Sequence, residues 1–293
     1  MILQEIKNQL LLSGGPIGLG GCKAHDTTLK CCEFNITIFD GKKVQDDIHI
    51  INDEAIRVHH GNLDESDPNI LQKFDSMSII SDDDWSLKIF LSKIQEKSEQ
   101  IRQSCIKGCL VDAATFATAA KQGVHSDPFC PAWIKCSAFF ISDALVLMNS
   151  KQRSPTHMLE FIRRLAKKKT NEFSTIAEVI GLERATPSLL ERMVKSTIGF
   201  SDMIEENGHS KIISRKYQYL VENSLLSDCY FYLGYVNKQN LVSIKNLIHK
   251  KPELVHVLKV ALDFENDPTR IELQAKALQE IANDLIRSLQ NYG

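Results

Sequence analysis

The feature that most limits what this chain can become is a change of hydrophobic period near residue 84. Before it, β-formers dominate Leu29 to Phe39, Asp47 to Ile51 and Ala55 to His59, with turn residues Asp40-Gly41 and Asn52-Asp53-Glu54 between them. After it, Trp85, Ile89, Phe90, Ile94 and Ile101 return at helical spacing, and helical patterns follow at 108–123, 131–149, 154–165, 174–182, 187–206, 211–224, 238–249, 252–264 and 268–290. Strands grouped first and helices afterwards predict an α+β protein, with a small mixed β-sheet head and a large all-α helical bundle, not an alternating α/β fold. The boundary divides the 293 residues into an α/β domain at 1–84 and a helical domain at 85–293, the latter in two parts, 85–169 and 170–293.

Composition narrows the function. With 43% hydrophobic residues the chain can build real cores, and a net charge of −2 lacks the basic excess of a protein that coats nucleic acid. No apolar run reaches the roughly 20 residues of a membrane span, and Met1 to Lys7 lacks the layout of a signal peptide. The expectation is a cytoplasmic protein with no membrane partner. Eight cysteines, scattered at 22, 31, 32, 105, 109, 130, 136 and 229, fit reduced core thiols better than a disulfide scaffold. Cys105-x3-Cys109 with His125, Cys130 and Cys136 lacks the paired C-x2-C spacing of structural zinc modules.

The most chemically suggestive stretch is Ser13-Gly14-Gly15-Pro16-Ile17-Gly18-Leu19-Gly20-Gly21, entered from a helix at 2–10 and a short Leu11-Leu12 strand. Five glycines between 14 and 21 let backbone N–H groups approach an anion closely. No Gly-Lys-Ser/Thr follows, so this is not a Walker loop, and the helix and parallel strand of a dinucleotide fingerprint are missing.

Taken with the following strand, Cys32-Glu33-Phe34-Asn35-Ile36-Thr37-Ile38-Phe39, the order resembles the head of the nucleotidyltransferase superfamily, the group that includes DNA polymerase β and the aminoglycoside nucleotidyltransferases. Ala132 to Asn149 with Ser154-Pro155-Thr156-His157 is similar to the kanamycin-type or HEPN-like helical domain that accompanies such heads. Together these similarities cover residues 5 to 165. The resemblance implies a triphosphate on Ser13, Gly14 and Gly15 with Lys23 nearby, Mg²⁺ or Mn²⁺ arriving with an NTP, and transfer of a nucleoside monophosphate to a small-molecule or RNA acceptor. A homo-oligomer is compatible with it.

In that family an Asp-x-Asp pair and a third Asp hold two cations, because side chains two apart on a strand share a face. The hydrophobic register puts Glu33 and Asn35 at the pair and His49 at the third position, so one of three is acidic. A second register uses Asp26 as a metal ligand, and Asp40 or Asp47 could join Glu33 and Asp26 from neighbouring loops. The expected pocket is lined by Ser13, Gly14, Gly15, Glu33, Asn35 and His49. Neutral Asn and imidazole compensate Mg²⁺ poorly. Two function classes follow: a metal-dependent nucleotidyltransferase, or a catalytically inactive homologue that binds a nucleotide or partner. A helical scaffold with an incidental head is the reading outside the superfamily.

Other groups read as ordinary structure first. His59-His60 before Gly61 is a strand end that can line a pocket, and Arg153-x3-His157 misses the Arg-x4–6-His spacing of HEPN ribonucleases. Arg163, Arg164 and Lys167-Lys168-Lys169 form a compact basic run that a solvated helix face explains. Tyr217, Tyr219, Tyr230, Phe231, Tyr232 and Tyr235 can stack bases, though helical packing accounts for them equally well.

Overall fold

The computed structural model describes residue 6 and residues 14–25, 28–149, 154–166, 170–204 and 209–290. Ser13, Asp26, Leu11-Leu12, Arg153 and the three lysines at 167–169 lie outside the described residues. The chain forms two compact units, one of residues 1–105 with 207–215 and one of residues 106–206 with 216–293. The architecture is α+β: a five-stranded mixed sheet near the N-terminus, then a body of helices.

In the first unit the strands are β1 (Ile17–Gly20), β2 (Phe34–Ile38), β3 (Asp47–Ile51), β4 (Glu54–His60) and β5 (Ser78–Ser81), ordered β3-β4-β2-β1-β5. β1 pairs antiparallel with β2 and β5, β3 antiparallel with β4, and β2 parallel with β4. The turn at Asn52 and Asp53 closes the β3–β4 hairpin with both residues at positive φ, 48° and 61°, the dihedrals a tight hairpin demands. Asp40-Gly41, read as a turn between successive strands, starts a crossover: β3 goes to the edge and β4 returns beside β2.

Alternation along the strands sorts the sheet into two faces. Ile17, Leu19, Phe34, Ile36, Ile38, Ile56 and Val58 form one, packed with Ile6. The other carries Gly18, Gly20, Asn35, Thr37, Arg57 and His59. Gly18 and Gly20 therefore belong to a strand, not to the expected loop. Their missing side chains admit Met77, whose sulfur lies 2.2 Å from where a Gly18 Cβ would stand. Residues 62–84 contain the helix α1 (Pro68–Phe74) and β5. Asp67 caps α1 by accepting from the Asn69 N–H at 2.8 Å.

The next helix is α2 (Ser86–Glu96), with Asp82 and Asp84 at its start. Asp82 does more, accepting from the N–H groups of Leu87 and Lys88, while Asp84 accepts from Ser86. Phe39, Phe74 and Phe90 meet edge-on or tilted at 5.3 to 6.1 Å between centroids and join α1 and α2 to the end of β2.

The remaining helices are α3 (Ser98–Gly123), α4 (Cys130–Asn149), α5 (Met158–Ala166), α6 (Thr170–Ile180), α7 (Pro187–Ile204), α8 (His209–Glu222), α9 (Leu226–Ser243), α10 (Leu254–Ala261) and α11 (Pro268–Gln290). In the second unit α4 is the axis. It is buried at every residue from Cys130 to Leu147 and packs against α5, α6, α9 and α11. Among the described residues it is the one helix long and apolar enough to cross a membrane, and the whole of that stretch is buried, as in a core helix.

The expected helix at 238–249 is replaced by α9, twelve residues earlier in its start. Its aromatic residues settle their own role: Tyr230, Phe231, Tyr232 and Tyr235 are buried, so they pack and do not stack bases. Gly234 lets α9 approach α4, since a Cβ there would meet the Phe139 ring at 2.7 Å. The Tyr235 hydroxyl and the Lys238 ammonium both donate to the buried Asp143 carboxylate, at 2.7 and 2.8 Å. Burial pushes the thiols of Cys130 and Cys136 up to about 11 and 12, which keeps them protonated.

The second polar device of this unit is Lys135. Its Nζ donates to the carbonyls of Ile180, Leu262 and Asp263 at 2.8, 2.6 and 2.9 Å and lies 3.2 Å from the Tyr230 hydroxyl. Ile180 ends α6, and Leu262 and Asp263 follow α10, so one ammonium answers carbonyls left unpaired at two helix C-termini. A different residue shows where the sequence is not optimal. Gly108 lies inside α3 with open space around its Cβ position, so Gly108→Ala is expected to raise stability by about 0.5–1 kcal/mol, read from chemical denaturation.

Candidate functional site

Parallel strands end on the same side, and ligands of mixed sheets gather beyond such carboxyl ends. The parallel pair here is β2 and β4, and the residues just past them are Phe39-Asp40-Gly41-Lys42 and His60-Gly61-Asn62. The Gly61 N–H donates to Ile38 and the Gly41 N–H to Gly61, which ties the two ends together. The Gly14–Gly15 turn is held against them. A Gly15 Cβ would stand 2.3 Å from the Phe39 carbonyl oxygen, and the Phe39 N–H donates to Pro16 at 2.9 Å. Gly14, at φ 106°, puts its Cβ position 3.9 Å from Asp40.

At this edge Asp40 and His60 form a dyad. The Asp40 side chain is 4% exposed and that of His60 12%, with Nδ1 of His60 2.9 Å from Asp40 Oδ1. Lys42 closes the other side, its ammonium 3.0 Å from Oδ2 and its N–H donating to Oδ1. Burial alone would raise the Asp40 carboxyl, but the His60 and Lys42 hydrogen bonds outweigh it and hold the pKa at about 2. The ionised carboxylate selects the His60 tautomer with hydrogen on Nδ1, which leaves the Nε2 lone pair for a ligand or proton.

The folded pKa of Asp40 lies below its ordinary 3.8, so its contribution, on the order of 2 kcal/mol, is complete above about pH 5 and is lost as pH falls toward 2. Asp40→Asn is expected to flatten that part of the acid unfolding curve, as followed by circular dichroism.

A second histidine cluster occupies the polar face. Nδ1 of His59 is 2.9 Å from Asp46, Nε2 is 3.3 Å from the Asn35 side chain, and Arg57 pairs with the same Asp46 at 2.6 Å. Burial lowers the His59 pKa from its ordinary 6.5 although Asp46 opposes it; the ring donates from Nδ1 to the Asp46 carboxylate, and Nε2 faces the Asn35 side-chain oxygen. Hydrogen bonds and charge from His59 and Arg57 hold Asp46 well below the usual carboxylate range despite its burial. Both nitrogens of this ring are thus committed to protein partners.

The residues expected to line one pocket are not brought together. β1 runs antiparallel to β2, so its start faces the end of β2, and Gly20 pairs with Asn35. That sets Asn35, and Glu33 before it, about five residues, or roughly 15 Å, along the sheet from Gly15. His49 pairs with Ile56 on the apolar face, opposite Asn35, which shares its face with Arg57. Gly14 and Gly15 remain at the turn. Lys23 sits beyond the other end of β1, 3.4 Å from Glu54 and over the Phe34 ring. Of the loop acids, Asp40 is the one beside the glycine turn, and Asp47 lies on edge strand β3.

These positions do not fit a two-cation centre. A pair of Mg²⁺ or Mn²⁺ ions needs several converging carboxylates, whereas the Asn35 side chain is committed to His59 and, among the described residues, Asp40 is the carboxylate against the turn's Gly14. The Asp40–His60 dyad was legible only as an Asp-Gly turn and a histidine pair, because its partners are twenty residues apart and meet through a parallel crossover.

The sequence matches no known protein-family model, and no curated protein is significantly similar to it.

Proposed function

We propose that the first unit is a nucleotidyltransferase-like head that binds a nucleotide at the carboxyl edge of β2 and β4 and does not transfer it. The observation that carries this reading is the Gly14–Gly15 turn packed beside the Asp40–His60 dyad, while the positions of the catalytic carboxylates, Glu33, Asn35 and His49, stand elsewhere on the sheet. Phosphate oxygens would meet the turn backbone and the largely exposed Lys42 ammonium, and a ribose hydroxyl or base N–H would donate to Nε2 of His60. A Mg²⁺ or Mn²⁺ ion accompanying the nucleotide would find Asp40 there among the described residues, and two-metal transfer needs more than one carboxylate.

Calorimetric titration of the full chain with ATP, CTP, GTP and UTP, each with Mg²⁺, Mn²⁺ or chelator, tests it. One nucleotide should bind per chain without pyrophosphate release. His60→Gln should weaken binding about tenfold, the scale of one hydrogen bond. Carboxylates introduced as Asn35→Asp with His49→Asp should leave affinity unchanged, because those positions lie away from the turn. If none of the four nucleotides binds, the reading fails. Pyrophosphate release with a small-molecule or RNA acceptor would instead establish the transferase reading.

A further inference from the structure

Away from the glycine turn, the first unit contains a recess of about 650 Å³, within the usual size range of small-molecule sites. One wall is the chain from Leu63 to Pro68 with Leu71 of α1, and the other is α2 with the first two turns of α3. Its floor is apolar and held from behind. Phe90 is fixed by contacts with Phe39 and Phe74, and Ile94 and Ile101 are buried. Ile89 stands 54% exposed at the recess, a large apolar surface left to water.

The charges around it are not balanced in availability. Lys93 and Lys97, one helical turn apart at the C-terminal end of α2, both line the recess, are both exposed, and show no ion pair among the described residues. Two acids face them. The Glu65 carboxylate accepts from the N–H groups of Ser66 and Asp67 at 2.7 and 2.8 Å, which holds it within its own loop, whereas the two ammonium groups have no such partner among the described residues. An apolar floor with two available cations at one edge complements a molecule with a hydrocarbon body and one anionic head.

We propose that this recess is a binding site for an amphipathic carboxylate, of the medium-chain fatty acid type, with its chain against Phe90, Ile94 and Ile101 and its head between Lys93 and Lys97. Chain burial supplies affinity, and the paired ammonium groups select the sign of the head. The site does not depend on nucleotide binding at the Asp40–His60 edge.

The experiment is calorimetric titration of the full chain with dodecanoate, dodecanol and dodecylammonium below their aggregation concentrations. Dodecanoate should bind once per chain, at least tenfold tighter than dodecylammonium and tighter than dodecanol. Lys93→Glu with Lys97→Glu should reverse the order of the two ions, and Ile89→Glu should weaken dodecanoate at least fivefold. These positions are exposed, so the variants fold, and Ile79→Glu, exposed on β5 away from the recess, should leave binding unchanged. Absence of dodecanoate binding, equal or tighter binding of dodecylammonium, or indifference to the lysine and Ile89 changes would overturn the proposal.

Discussion

Lys135→Met should lower the stability of the second unit by about 3 kcal/mol, since removing the partner of buried polar groups strands them without water. Three carbonyls at 2.6 to 2.9 Å lose their donor, and Asp263, which also holds Tyr230 and Arg184 at 3.0 Å, loses the link that fixes its backbone. Methionine fills much of the volume but supplies no hydrogen. For a unit of this size the melting temperature should fall by roughly 10 °C, measured by calorimetry.

The same residue sets a pH dependence. Burial pushes the Lys135 pKa down to about 7 from 10.5, with Asp263 opposing. Between those values the unfolded chain binds a proton that the folded chain has given up, so this group's contribution makes stability rise with pH from about 7 to 10. Wild type should therefore gain melting temperature relative to Lys135→Met as pH is raised from 7 to 9.5. Parallel curves for the two proteins over that range would show that the three carbonyls hold the ammonium at its ordinary pKa.

Gly15→Ala is the other large effect expected. The new Cβ would stand 2.3 Å from the Phe39 oxygen and 2.9 Å from its carbonyl carbon, and both are backbone atoms that cannot rotate aside. Relief requires the turn to move away from the end of β2, at the expense of the hydrogen bond between Phe39 and Pro16. A loss of about 3 kcal/mol or more is expected, at the upper end for single substitutions. Hydrogen exchange should show it as lost protection in β1 and β2. Gly41→Ala is the control: nothing lies within 4 Å of its Cβ position, and its positive φ of 70° should cost only about 1 kcal/mol. Equal losses at Gly15 and Gly41 would mean that the close approach to Phe39 does not hold the turn.

Several elements were legible because they rest on local chemistry. The period change near residue 84 separates the sheet, with α1 inside it in sequence, from the other α-helices of the described residues that lie after it, and Asn52-Asp53 forms the hairpin turn that its residue types favour. The site was legible in parts only. Gly14 and Gly15 were marked by composition, but the reason for Gly15 is its contact with Phe39, twenty-four residues away. Glu33, Asn35 and His49 were placed together on the assumption that neighbouring strands in sequence are neighbours in the sheet. β4 lies between β3 and β2, and the register of His49 against Ile56 turns it to the apolar face. The start of α9 was missed because Tyr230, Phe231 and Tyr232, buried on all sides, show no amphipathic period.

What the amino-acid order determined by itself was the kind and sequence of elements, since helical and extended periods, caps and turn residues act over a few neighbours. Strand order, the meeting of Asp40 with His60, and the gathering of three distant carbonyls on Lys135 were decided by the tertiary structure. These depend on which apolar faces bury together and which polar groups must then find partners, and no local stretch of chain carries that information.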